Sequence, residues 1–533
     1  MNKAVLRAAL AVLASVMIGG QGALAASWET DSLRGPEQQI MVNVTSQAGS
    51  GDMGSMNGAE KNATFRIPSR LAVLPDSTVL ISDSRNHMIR MLAQGRVGTY
   101  AGILYEMDGK GFPVGGLLDG PGDMALFQEP HGMAVDAGGN VYVADAGNHA
   151  IRKIDASGRV STVAGNGLIG LKDGRGKDAS FYRPTDVVAA PDGTLYVADT
   201  LNHVIRRITP SGEVKTLNAP STRAVEVSPG QASPAGDYAD GDLKQAKFNE
   251  PGGLVMDDKG NLYVSDSGNQ RIRYIDLQAG TVTTVAGGGT ASATKDLYAP
   301  GDYADGEAGH ARFNFPLGLA RTREGGLIIA DSQNHAVRYL WNGRVTTLAG
   351  VPGSTTGELD GIEGHARMHR PTGVAVQADG SILVADAYNN KLRQIRLYSL
   401  PADLPKDNNV KVVVDDQWIS FEVHPDLTNG RTMVPVRTLA EALGYEVTFD
   451  AGTRTVRLSK DGTIIEMGMD RNGLKRTAKG REWSSETDAA PYIKQDRMFV
   501  PIRFVAEAIG LDVQWDNASR TAILRHKTID TAR

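Results

Sequence analysis

Three polar residue types recur at fixed spacing along the 533-residue chain and are the first place to look for chemistry. Aspartates stand at Asp83, Asp145, Asp199, Asp266, Asp331 and Asp386. Three residues after each comes an asparagine (Asn86, Asn148, Asn202, Asn269, Asn334, Asn389), and seven residues after each comes an arginine (Arg90, Arg152, Arg206, Arg273, Arg338, Arg393). A carboxylate beside an amide and a guanidinium could hold a metal or move a proton. Six copies point the other way, because an active site is usually singular. Asp and Asn suit tight turns, where they bond nearby backbone amides, and an Arg fork can tie such a turn to the next strand. These residues are therefore expected to be structural, with each buried charge kept in place by its partner.

A second set comes from the hexapeptide GDYADG, present at Gly236 and again at Gly301, which offers Asp237, Tyr238, Asp240, Asp302, Tyr303 and Asp305. Paired aspartates beside a glycine turn could take calcium through oxygen ligands, although the spaced ligand series of a calcium loop is missing and ordinary turns are the default. The tyrosines supply apolar area with a polar tip and are expected as exposed contacts to a peptide or glycan. Asp240 and Asp305 also belong to a wider motif, an acidic residue followed by Gly and then by Ala six positions after the acid. Its other copies are at Asp119, Asp173 and Asp360, with Asn57 in the first.

The elements that must position these residues follow from the same periodicity. Fifteen residues before each repeated Asp lies a proline, preceded three residues earlier by Phe, or by Met368 in the last copy. Each unit reads as four strands, typified by GMAVDA, NVYVAD, AIRKID and VSTVAG. The second strand is apolar on both faces, which suits a sheet sandwiched between two neighbours, so the units are expected to stack radially as propeller blades. Every unit but the last is followed by an outer strand. The segment MVNVTSQAG, residues 41–49, has that character and is expected to complete the last blade.

The six copies of this text resemble the NHL repeat through Asn86-His87, Asn148-His149, Asn202-His203 and Asn334-His335, with Gln270 and Asn390 replacing His in two copies. The resemblance covers roughly residues 41–396 and implies a six-bladed β-propeller. Some propellers of this general kind are enzymes with a divalent metal at the central channel. Glu129, His131 and Asp186 flank the blade prolines near that channel and are the candidates for such a role, together with Glu250 and His369. They are scattered and unmatched in type, short of a coherent ligand set.

A second duplication closes the chain. MVPVRTLAEALGYEVTFD from Met433 and FVPIRFVAEAIGLDVQWD from Phe499 align without gaps at an offset of 66 residues. In each copy, apolar residues at i, i+3, i+4 and i+7 predict a helix ended by Gly444 or Gly510, followed by a hairpin. Arg437, Glu441, Arg503 and Glu507 are expected to form structural pairs. This text is similar to the copper amine oxidase N-terminal-like domain, an accessory or stalk module rather than the oxidase centre. With His424 and His526 as its only histidines, it has too few for a three-His copper site.

Bulk properties set the remaining bounds. A net charge of −5 implies no field for nucleic acid, and the absence of cysteine removes disulfides and thiolate metal sites. Residues 1–25 read as a signal peptide, with Lys3 and Arg7, an apolar run to Ile18 and the small-residue motif Ala23-Leu24-Ala25; the run is shorter than the ~20 residues that span a bilayer.

The fold class expected is mainly β, a six-bladed NHL-type β-propeller followed by a small duplicated α+β domain. Its organisation is a signal peptide (1–25), an N-terminal linker (26–40), the propeller (41–397, with 41–49 as closing strand), a linker (398–409), the second module (410–527) and a tail (528–533). The function expected is that of an exported, non-catalytic binding or scaffold protein, with no cofactor and no membrane span after cleavage. Its partner is a protein, peptide or glycan of the extracellular space or cell envelope, and the C-terminal module is a stalk or attachment domain. The alternative is a metal-dependent hydrolase or lyase with its site at the central channel.

Overall fold

A computed structural model describes residues 26–36, 38–291, 295–351, 353, 356–469, 473–486 and 489–529. Residues 1–25, expected to be a signal peptide, and the end of the tail at 530–533 lie outside them. The chain folds as a mainly β protein: six five-stranded antiparallel sheets arranged as propeller blades, then a smaller α+β module. Among the described residues no helix is long and apolar enough to cross a membrane.

Blade two is typical. Its inner strand Pro130–Val135 pairs with Val141–Asp145, then Ala150–Ile154, then Arg159–Ala164. A fifth strand of two residues, Gly120–Pro121, pairs on the outside. Four strands per blade were expected; the fifth arises where the acid-Gly motif runs antiparallel to the outer strand, and it recurs in all six blades. The alanine of each motif (Ala63, Ala125, Ala179, Ala246, Ala311, Ala366) is fully buried, which leaves no room for a larger side chain. The second strand packs between neighbouring blades on both faces, so hydrophobic clusters run around the ring from blade to blade.

Blade six takes its fourth strand from the other end of the propeller. Val42–Ala48 lies between Lys391–Leu397 and Gly361–Ile362, with Val42, Val44 and Ala48 fully buried. The segment at 26–40, expected as a linker, is instead docked. Trp28 is buried in the core shared by blades five and six, and its indole Nε1 donates to the Gly380 carbonyl at 2.8 Å.

In the C-terminal module the two copies meet at their centre, where Arg431–Pro435 pairs antiparallel with Arg497–Pro501 and Val434 stands opposite Val500, its own counterpart. Each of these strands leads into a short helix, Val436–Ala442 or Ile502–Ala508. The first ends with Gly444 at φ +77° while the Gly444 and Tyr445 amides cap the carbonyls of Glu441 and Ala440. Arg503 and Glu507 approach only to 4.0 Å in solvent, and among the described residues no Arg437–Glu441 pair forms, so the expected pairs contribute little.

The module rests on blade six. Arg525, buried on the module's last strand, reaches Glu363 on the propeller, and Glu363 also accepts the Val42 N–H at 3.1 Å. The Ile362 N–H donates to the Lys527 carbonyl, and the Ile529 N–H to the Asp360 carbonyl. Met41, Tyr398 and Ile523 form a small buried cluster between them.

Candidate functional site

The repeated polar residues form one network, built six times. Each Asp sits at the end of the second strand before a single 3₁₀ turn that contains the Asn. One carboxylate oxygen accepts the backbone N–H seventeen residues upstream, for example Tyr182 to Asp199 at 2.7 Å. The other accepts the Asn amide and the Arg guanidinium, as with Asn202 at 2.8 Å and Arg206 at 2.8 Å. The second arm of the Arg takes the acid of the acid-Gly motif, Asp173 in blade three, and Asn57 in blade one. All six arginines are fully buried, and five lie over the buried Phe that precedes the blade proline, at 4.9–5.4 Å. Burial pushes Asp83, Asp145 and Asp199 up to about 6, against the pull of their arginines. Both oxygens of each carboxylate accept hydrogen bonds inside the blade.

The residue after the Asn has a further task. His87, His149, His203, Gln270, His335 and Asn390 all adopt left-handed backbone, between φ 51° and 59°. Each accepts, through Nδ1 or the amide oxygen, the N–H of the residue before the next blade's proline, at 2.6–3.1 Å. Those six partners, Glu129, Arg183, Glu250, Phe315, Arg370 and Ile67, are themselves left-handed. The motif His is thus an inter-blade tie, and Gln or Asn serves equally because each offers an acceptor.

The GDYADG residues are also absorbed. Tyr238, expected to be exposed, is half-buried over the guanidiniums of Arg271 and Arg273 at 4.5 and 4.8 Å, and its hydroxyl meets Asp240 and Thr284. Tyr303, exposed as expected, covers Arg338 and bonds Asp305 and Thr347. Asp237 pairs with Lys247, Asp240 with Arg273 and Asp305 with Arg338, while Asp302 caps the Tyr303 amide. Burial of the buried guanidiniums beneath an aromatic lid explains why a tyrosine stands here rather than a free contact residue.

What distinguishes one blade from another lies at the channel and in the loops. The position two after the blade proline is Gly132, Gly253, Gly318 and Gly373 in four blades, where a Cβ would strike the neighbouring blade. Blades one and three depart from this with Arg70 and Asp186. These two face each other at 4.0 Å, and Arg70 also donates to the carbonyls of Thr372 and Gly252, so it spans the channel. Burial pushes Asp186 up to about 6, opposed by Arg70 and by the amides of Leu254 and Val187. Sequence reading missed Arg70, although its break with the Pro-x-Gly pattern was a usable signal.

Above Arg70 lies a cavity of 210 Å³ lined by His131, Arg183, Glu250 and Phe315 among others. His131 is half-buried in its lining, and among the described residues its imidazole makes no hydrogen bond. Burial, then Arg70 and Arg183, lower its pKa to about 3, so the ring is neutral. Glu129 sits at the mouth between Arg85 and Arg183, each at 2.6 Å; burial would raise its carboxyl, but the two arginines hold it below the usual range. The three sequence candidates are therefore neighbours of one channel without forming one ligand set. Among the described residues no three His, Asp or Glu side chains converge to hold a metal.

The loops of blades one to three carry the larger anomaly. Most large apolar side chains exposed among the described residues lie there: Met53 and Met56, then Tyr105, Met107, Phe112, Val114 and Leu118, then Leu168, Ile169 and Leu171. Tyr105 is 71% exposed and Leu168 68%. Successive turn asparagines fix the three loops side by side, Asn86 to the Gly54 carbonyl, Asn148 to Gly116 and Asn202 to Gly170. The middle loop rises as a small hairpin, Glu106–Met107 against Pro113–Val114. Phe112 packs under Arg66 at 5.5 Å on one side, and Leu117 lies against Gly167 on the other.

Comparison with known proteins agrees with this architecture. The NHL repeat family matches residues 127–154 and 248–273, and the copper amine oxidase N-terminal domain family matches residues 413–524. NHL repeat-containing protein 2 of Homo sapiens is 29% identical over 428 residues, covering 76% of this chain and 56% of that protein. The chain spans from about a quarter to about half the length of the curated relatives it matches. Similar solved structures include an auxiliary nutrient binding protein from Bacteroides thetaiotaomicron, at 15% identity and TM-score 0.48 over 70% of this chain and 84% of that one. They also include a streptogramin B lyase, at 13% identity and TM-score 0.39 over 67% and 98%.

Proposed function

We propose that this chain, an NHL-repeat β-propeller joined to a copper amine oxidase N-terminal domain, is an exported binding protein that uses the loop face of blades one to three to hold a polypeptide partner. The carrying observation is the concentration of exposed apolar side chains, among them Met53, Tyr105, Phe112 and Leu168, on the adjoining loops of blades one to three, because exposed apolar patches mark interaction sites. Its chemistry selects among partners. Aliphatic and thioether side chains suit apolar peptide side chains, whereas a glycan needs polar groups arrayed beside aromatic platforms. Export rests on the sequence of residues 1–25. A channel enzyme is the less favoured reading, since Glu129 and Asp186 are both engaged by arginines.

The test is to pan a displayed peptide library, alongside a glycan array, against residues 26–533. Apolar peptides that bind the parent and are lost with Tyr105→Ser and Phe112→Ser, at an unchanged melting temperature, support the reading. Binding that ignores those substitutions, or ligands found on the glycan array alone, overturns it.

A further inference from the structure

The channel cavity has properties that neither ring closure nor the loop patch requires. Its floor is sealed by Arg70, which reaches across to carbonyls of blades four and six. The hydroxyls on its wall are spent: Thr185 donates to the Gly252 carbonyl, Thr200 to Pro251 and Ser267 to Pro316. Glu250, on another wall, accepts from the Tyr298 hydroxyl at 2.9 Å. Among the described residues, the lining side chains that keep hydrogen-bonding capacity are His131, through its imidazole, and the guanidiniums of Arg70, whose Nε has no hydrogen-bond partner, and Arg183, which gives one arm to Glu129.

The charges around that imidazole are unequal. Arg70, Arg183 and Arg85 disfavour a proton on His131 and outweigh Glu129, which favours one. A metal ion would meet the same repulsion. An anion would be drawn to the arginines, with Glu129 already paired to two of them and Glu250 turned to the Tyr298 hydroxyl, and a neutral imidazole can donate one N–H to it. The rest of the lining, Leu201, Leu317 and Phe315, is apolar. A volume of 210 Å³ equals about seven waters at their liquid share of ~30 Å³, the bulk of a short-chain acid.

We infer that this cavity is a binding pocket for a small monocarboxylate, its carboxylate held by Arg183 and the His131 N–H and its carbon chain lying against Leu201, Leu317 and Phe315. The same chemistry is offered by a free acid and by the C-terminal end of a peptide. The pocket is separate from the loop patch, and a short acid is too small to engage both, so either assignment can fail without the other.

Calorimetric titration of residues 26–533 with butanoate and with butanamide tests it, because the two differ in charge and hardly in size. Butanoate is expected to bind with a Kd on the order of 1 mM, which a ligand of this size can reach, and butanamide about tenfold more weakly or worse. Arg183→Gln should weaken butanoate by about tenfold while the melting temperature holds. An acetylated dialanine with a free C-terminus, set against its amide, separates the sources: binding of that acid extends the pocket to peptide ends, and binding of butanoate alone restricts it to free acids. Equal binding of butanoate and butanamide, undiminished butanoate binding by a folded Arg183→Gln, or no heat from any carboxylate overturns the assignment.

Discussion

Four histidines, one glutamine and one asparagine occupy the same left-handed position in six blades, and each accepts a backbone N–H from the next blade. A histidine can do this only while Nδ1 is unprotonated; in His87 the proton sits on Nε2, which meets the Pro113 carbonyl at 3.0 Å. Burial lowers the pKa of all four, that of His203 from 6.5 to about 4. Between those limits the unfolded chain binds more protons than the folded one, so the contribution of His203 is complete above pH 6.5 and is lost as pH falls toward 4. Its full size is about 3 kcal/mol. His203→Gln, which copies the residue already used in blade four, should flatten the fall in denaturant-measured stability between pH 6.5 and 4 by roughly that amount. The buried Asp–Arg pairs titrate in the same range with the opposite sign, but they are common to both proteins and cancel in the difference. An identical pH slope in parent and variant would remove the tie from the stability of the ring. The invariant spacing of Asp, Asn and Arg was enough to read these residues as structural. The His link was not legible, because its partner lies 34–47 residues away and contributes only a backbone amide.

At the scale of elements, the segment most exposed to test is Val42–Ala48, which closes the ring by pairing with Lys391–Leu397. Val42 and Val44 are fully buried, and burying two such side chains contributes about 3–6 kcal/mol. Deleting residues 41–49 also leaves an unpaired edge on blade six. The melting temperature should fall by on the order of 10 °C, and a synthetic peptide of residues 41–49 added in trans should recover part of it. A melt that is unmoved by the deletion would place ring closure elsewhere. The strand pattern made this legible, since one blade lacks an outer strand and one stray segment matches it. The fifth strand of each blade escaped notice because two residues carry no periodicity. Residues 26–40 escaped because a single tryptophan docks them, a contact set by distant carbonyls rather than local pattern. The loop patch escaped for a related reason: whether an apolar residue in a long loop is buried or exposed depends on which turn the loop is tied to, here through Asn86, Asn148 and Asn202.

The two modules together form a unit tighter than a stalk on a flexible tether. Arg525, Glu363 and the Val42 N–H form a chain of contacts that runs from the module's last strand to the first residue of the closing strand. Tyr398, at the exit of the propeller, sends its hydroxyl to the Asp415 carbonyl at 2.6 Å, so the connecting segment is pinned at its start. The module therefore sits over the one place where the ring is joined end to end. Removing Arg525 would leave Glu363 largely buried with an amide as its partner, and breaking a buried pair in this way costs about 3–5 kcal/mol. That cost belongs to whichever local opening exposes the group, so it should surface as faster exchange near the seam rather than as global unfolding. Arg525→Met, close in length and without charge, is expected to speed amide hydrogen exchange at Val42–Ala48 and Ile362 by on the order of 100-fold, with Pro130–Ala164 in blade two protected as in the parent. Unchanged exchange at the seam would mean that the module leans on blade six without locking it, and the propeller would then be free to close alone.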